Sequence, residues 1–238
     1  MRIALFVPCY VDRFFPKVAI STFQVLKKLG YEPEVPSGQT CCGQPLGNSG
    51  FEAEAKEVAD HFDDLFADYD YVVGPSGSCV DYAVEHHGEK EGERRIYELS
   101  EFLSDVAEMP DYSGTFDWKV GLHQSCHGLR NLRLGSSSET VSECFSKPGS
   151  LLAGIPGLEL VELERKDECC GFGGAFCVDE ADVSAKMGKD RLADHERSGT
   201  EVLTAVDMSC LMHLKGLIDR KKSGIKVMHI AEIINEAL

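Results

Sequence analysis

Cys-Cys-Gly occurs twice in this chain, at Cys41-Cys42-Gly43 and Cys169-Cys170-Gly171, and each copy is the middle of a longer ordered pattern. Cys9 precedes the first copy and Cys79 follows it; Cys126 and Cys210 frame the second in the same order. The intervening stretches are 31 and 36 residues in the first set and 42 and 39 in the second. Neighbouring side chains normally diverge, so vicinal cysteines serve one site only where a bent backbone aims both sulfurs at it. The glycine that follows each pair permits such a bend, because it adopts positive φ freely. A chain built this way must bring four thiols from three segments together, and must do so twice.

The surroundings of the cysteines repeat as well. RIALFVPC (2–9) matches KVGLHQSC (119–126), each a basic residue, a strand-like run and then a thiol. YVVGPSGSC (71–79) matches VLTAVDMSC (202–210), and further on YELSEFL (97–103) matches MHIAEII (228–234). A series of matches in one order is the signature of an internal duplication.

Apolar residues at Val18, Val25, Leu26 and Leu29 keep a helical period, with Gly30 placed for a left-handed cap. Val58, Phe62, Leu65 and Phe66 mark a second helical face, and Ala181, Ala185, Met187 and Leu192 a third. Short runs bounded by turn residues lie between them: Ile3–Val7, Tyr71–Val73, Val120–Leu122, Leu158–Leu163 and Val202–Val206. Strands alternating with helices predict βαβ units and parallel sheets. The segment MPDYSGT (109–115) reads as a boundary. The expectation is an α/β chain of two duplicated Rossmann-like domains, 1–112 and 113–238, in a pseudo-twofold pair. Cys9 and Cys126 then follow the first strand of each domain, and Cys79 and Cys210 a later one. That is the sheet edge where open parallel sheets bind ligands.

A formal charge of −16 excludes a surface for nucleic acid or anionic membrane. MRIALFVPCY is too short for an export signal, and no apolar run reaches 18 residues, so no membrane span is expected and the chain reads as cytoplasmic. Ten cysteines in a reducing cytosol point to metal or redox chemistry rather than to a disulfide scaffold. Cys144 and Cys177 stand outside the repeated pattern and read as small buried hydrophobes. A single zinc ion has little use for vicinal thiolates, whereas a cluster of several irons offers them separate metal atoms. The glycines of CCGFGG are followed by no lysine at P-loop spacing, so a nucleotide site is not expected.

These motifs resemble the CCG cysteine-rich domain proteins, which include the cluster-binding component of heterodisulfide reductase and the iron–sulfur subunit of glycolate oxidase. With PSGSC, HQSCH, CCGFGG and DMSCLMH, the whole chain is most similar to the lactate-utilisation protein A family. The resemblance implies an iron–sulfur redox subunit, an oxidoreductase component, of a cytoplasmic system oxidising L-lactate to pyruvate. It implies two [4Fe–4S] clusters, cubane or noncubane, held by Cys9, Cys41, Cys42 and Cys79 and by Cys126, Cys169, Cys170 and Cys210. The implied partners are a ferredoxin-like iron–sulfur subunit and a third small subunit. The heterodisulfide reductase relatives end each set in Cys-x-x-Cys, giving five cysteines per noncubane cluster. Here the first of those positions is Ser76 in one half and Asp207 in the other, which leaves four thiols per set.

Two other functions fit the same thiols: a structural zinc protein, with zinc also entering the sites in air, and a thiol–disulfide oxidoreductase of the heterodisulfide reductase type. Among the remaining polar residues, His123 and His127 flank Cys126 and His213 follows Cys210, whereas Phe6, Tyr10 and Tyr82 stand near the first set. This inequality marks the second site for proton handling, with His127 and Asp207 as its catalytic candidates. His86-His87 reads as exposed and inert, and EKEGERR (89–95) as a solvated connection.

Overall fold

The computed structural model describes residues 1–87, 95–107, 110–141 and 143–238. The first half runs β1 (Ile3–Leu5), α1 (Cys9–Phe14), α2 (Pro16–Lys28), β2 (Pro33–Glu34), α3 (Gln44–Asn48) and α4 (Glu52–Phe66). It continues through β3 (Tyr71–Gly74), α5 (Gly77–His86), β4 (Ile96–Glu98) and α6 (Leu99–Asp105). The second half runs β5 (Lys119–His123), a π-helical turn (His127–Asn131), α7 (Lys147–Ala153), β6 (Glu159–Leu160), α8 (Phe176–Asp179) and α9 (Ala181–Arg197). It closes with β7 (Val202–Ala205), α10 (Met208–Lys221), β8 (Lys226–Val227) and α11 (Ile230–Ala237).

Each half forms a four-stranded parallel sheet, and the strand orders β2-β1-β3-β4 and β6-β5-β7-β8 are the same order repeated. The fold is therefore α/β, a duplicated Rossmann-like pair. Ile3, Ala4, Leu5, Val72 and Val73 are fully buried, as expected of central parallel strands covered by helices on both faces. The sheets hold more strands than the sequence suggests, and some of those strands are shorter. The run Leu158–Leu163 pairs only over Glu159–Leu160, and β2, β4 and β8 were not legible, being two or three residues defined by their neighbours' backbone.

The halves exchange helices. The last helix of the second half, α11, packs on α2 of the first, and the last helix of the first half, α6, packs on α7 of the second. Lys17 pairs with Glu232 at 3.1 Å, and Asn235 donates to Gln24 at 2.7 Å across the first of these contacts. One apolar core runs through both halves, from Phe6 and Phe102 to Leu151 and Ile234.

The duplicated helix caps have diverged in chemistry. Glu98 caps α6 by accepting from Ser100 N–H at 2.7 Å, whereas His229, its counterpart, caps α11 by accepting from Ala231 N–H at 3.1 Å. Burial pushes Glu98 up to about 8 and His229 down to about 4, so each favours its neutral form. A carboxyl raised in the folded state contributes fully below its unfolded value of 4.5 and loses that contribution as pH rises to about 8. Glu98→Gln should therefore gain on the parent by about 1.4 kcal/mol per pH unit across that window. Urea unfolding of both proteins at pH 5 and pH 7.5 measures this, and a constant difference would contradict it.

Candidate metal centres

In each sheet the side on which successive strands are added switches at the second and third positions, between β1 and β3 in the first half and between β5 and β7 in the second. The crevice outside the carboxyl ends of such strand pairs is the usual ligand site of an open α/β sheet. Cys9 opens α1 just beyond β1, and Cys79 lies in the first turn of α5 just beyond β3; Cys126 and Cys210 hold the same places after β5 and β7. The Cys-Cys-Gly loops follow β2 and β6 and close over these crevices.

In the first half the thiols interact in series, Cys9 with Cys41, Cys41 with Cys42 and Cys42 with Cys79. The second half repeats it through Cys126, Cys169, Cys170 and Cys210, with Cys126 and Cys169 Sγ 3.4 Å apart. All eight are free thiols. Cys41 is held far toward the thiolate by hydrogen bonds from Cys42 and Cys9 and from the Gly43 N–H. Cys169 is held likewise by Cys126, Cys170 and the Gly171 N–H. Their donors Cys9, Cys42, Cys126 and Cys170 are pushed up in turn. Four sulfurs that neighbour one another in series form a soft donor set that a thiophilic metal or iron–sulfur cluster fits, since binding displaces their protons.

Gly43 (φ +96) and Gly171 (φ +87) make the bend that turns both thiols of each pair inward. Their N–H groups donate to the first sulfur of the pair, at 3.5 Å from Gly43 to Cys41 and at 3.3 Å from Gly171 to Cys169.

The surroundings of the two sets differ. At the first, the Tyr10 hydroxyl lies 3.8 Å from Cys79 Sγ and bonds to Ser76 Oγ. His87 is a correction to the sequence reading: it is buried, stacks on Phe62 with ring centroids 4.6 Å apart, and its Nε2 lies 2.8 Å from the Cys42 carbonyl. It braces the loop, whereas His86 is exposed and stacks on Tyr82. At the second set, His123 is fully buried, and burial holds its imidazole down at about 4. A ring nitrogen of His123, Cys170 Sγ and Cys210 Sγ all lie within 4.8 Å of one another. The half-buried His213 also has an unpartnered Nε2.

Asp207 is buried between the halves rather than turned toward the thiols. It accepts from Ser78 N–H at 2.8 Å, Ser209 N–H at 3.0 Å, Ser76 Oγ at 3.1 Å and Ser78 Oγ at 3.2 Å. Its carboxylate thus joins the N-termini of α5 and α10, one from each half, which sequence spacing could not show.

His127 lines a cavity of about 510 Å³ whose other walls are first-half residues of α3, α4 and α5, including Gln44, Lys56, Asp81, Tyr82 and His86. Asn131 from the same π-helical turn donates to Asp81 at 2.6 Å, which ties this wall to the first half. The residue assigned to the second site by sequence therefore faces a cavity beside the first loop. Cys177 is half-buried, its thiol on the Gly174 carbonyl at 3.0 Å, but Cys144 is exposed and so corrects the expectation of a buried hydrophobe. EKEGERR falls outside the described residues except Arg95, which donates to the Phe66 and Tyr69 carbonyls. Among the described residues no helix is long and apolar enough to cross a membrane.

Two copies of one sheet, each with a Cys-Cys-Gly loop closing on two further cysteines, define a class of protein, and comparison with known families agrees. The chain matches the cysteine-rich domain family named for its CCG motif over residues 3–81 and again over 120–215, and it belongs to that family. Within it, the chain is 40% identical over 255 residues to lactate utilization protein A of Exiguobacterium sp., covering 100% of this chain and 98% of the relative. It is 39% identical to the proteins of that name from Halalkalibacterium halodurans and Bacillus subtilis, over 99% of this chain and 97% and 99% of theirs. The chain therefore belongs to the lactate utilization protein A family.

Proposed function

We propose that this chain is the cysteine-ligated iron–sulfur redox subunit of a cytoplasmic system that oxidises L-lactate to pyruvate. The observation that carries the reading is the pair of equivalent four-thiol sets, each with its thiols interacting in series at the switch point of its sheet. The names of the full-length relatives supply the substrate. Cys9, Cys41, Cys42 and Cys79 would hold one cluster, and Cys126, Cys169, Cys170 and Cys210 the other. When bound, such clusters supply one-electron transfer.

The protein's own groups do the rest. The Gly43 and Gly171 N–H groups stabilise negative charge on sulfur, and His87 fixes the first loop through the Cys42 carbonyl. Oxidation of a hydroxy acid releases protons as well as electrons, and His127, in the wall of the polar cavity, is placed to accept one. Asp207 acts through the helix ends it holds. The partners in this reading are a ferredoxin-like iron–sulfur subunit and a third small subunit.

Anaerobic reconstitution with iron and sulfide should load two centres per chain, and Cys41→Ser with Cys42→Ser should remove half of the iron while the fold persists. Loss of both centres from that folded variant would refute separate sites. Binding of zinc but no iron would make the sets a structural scaffold. A metal-free chain that still exchanges disulfides would make them redox thiols.

A further inference from the structure

His123 is the residue that most separates the second centre from the first. It is the last residue of β5, and the duplication pairs it with Phe6, which follows β1. Phe6 does what that place in a core asks of it, packing edge-on against Phe62 at 5.1 Å and Phe66 at 6.1 Å. His123 is buried to the same degree, yet neither of its ring nitrogens has a hydrogen-bond partner among the described residues. Leaving a buried polar group unpaired costs about 1–3 kcal/mol, and two on one ring are a standing cost that phenylalanine would avoid. The ring is aimed at the thiols: one nitrogen lies within 4.8 Å of both Cys170 Sγ and Cys210 Sγ. Among the described residues no imidazole groups with two thiols of the first set in this way, and His87 turns its Nε2 to the Cys42 carbonyl.

We propose that His123 is a direct ligand of the second centre through a ring nitrogen. The two centres are then chemically unequal, all-thiolate in the first half and mixed thiolate–imidazole in the second. This rests on the iron–sulfur reading above. The imidazole adds a neutral donor to the four thiolates of Cys126, Cys169, Cys170 and Cys210, so the second centre gains a fifth protein ligand without gaining charge.

The test uses the full chain carrying Cys41→Ser and Cys42→Ser, so that only the second centre is loaded, reconstituted with iron and sulfide and reduced to its paramagnetic state. Pulsed electron paramagnetic resonance should show nitrogen strongly coupled to the cluster, and the lines should shift when the protein is made with ¹⁵N-histidine. The coupling should disappear in His123→Phe, the residue found at the duplicated position, and persist in His213→Gln and His127→Gln. If His123→Phe does not fold, the labelled parent together with those two variants still decides, because they remove the other imidazoles around Cys126 and Cys210. Iron that loads without strong nitrogen coupling, or coupling that survives His123→Phe, would overturn the proposal and leave the cluster reading standing. Failure of the parent set to take up any iron would overturn the cluster reading and the ligand assignment with it.

Discussion

Replacing Asp207 with alanine should cost the folded protein about 4 kcal/mol and lower its urea midpoint accordingly. The carboxylate is fully buried and accepts four hydrogen bonds, two from backbone N–H groups and two from serine hydroxyls. Alanine takes the acceptor from two buried backbone N–H groups and the Ser78 hydroxyl, with Ser76 keeping the Tyr10 hydroxyl as a partner, and hydrogen bonds to a charged group are the costly ones to lose. Two helix N-termini, of α5 and α10, also converge on this one anion, so their dipoles would lose a shared counter-charge. Asp207→Asn keeps the shape and one acceptor oxygen and should cost about half as much. Equal midpoints for parent and alanine variant would show that the contact carries no stability.

The same variant should lose iron from both sets. Cys79 and Cys210 each lie three residues beyond a group in this contact, Ser76 and Asp207, in the first turns of the helices it joins. The contact continues from Ser76 to the Tyr10 hydroxyl, which reaches Cys79 Sγ at 3.8 Å. Sequence reading set Asp207 against Ser76 and Tyr10, as the active half against the passive one. The structure puts all three in one network, so their substitutions should be non-additive in a double-mutant cycle.

What sequence could show here was whatever repeats or keeps a period. The order of eight cysteines, the helical faces ending at Leu29 and Phe66, and the runs that became β1, β3, β5 and β7 all depend on local pattern, and all were legible. Asp207 was legible as the occupant of an expected cysteine position but not as a bridge, because Ser78 lies 129 residues away in the chain. His87 was misread because the polar stretch around it suggests exposure, whereas its ring closes the helix face that already carries Tyr82 and Ala83. His127 was attached to the nearest cysteine in sequence. The π-helical turn rotates it instead toward a cavity walled by the other half.

The Cys-Cys-Gly loops offer the second large effect. Gly171→Ala should cost about 3 kcal/mol and empty the second set while the first still loads. Two costs add at this residue. Its φ of +87 lies in the left-handed region, where a side chain is strained by about 1–2 kcal/mol. A Cβ there would also sit 2.7 Å from the Ser184 carbonyl oxygen and 2.7 Å from Met187 Cβ, both on α9 beneath the loop. Those atoms belong to a helix in regular hydrogen bonding, so the loop must lift, and the Gly171 N–H then leaves Cys169 Sγ. Gly174 separates the two costs. It has φ +64, but a Cβ on it meets nothing within 4 Å. Gly174→Ala should therefore show the backbone strain alone, about 1 kcal/mol, with full iron in both sets. Thermal or urea unfolding gives the stability difference, and iron per chain gives the loading. If the two glycine variants lose equal stability and both keep two centres, the close packing of the loop on α9 is not what holds Cys169 and Cys170 in place.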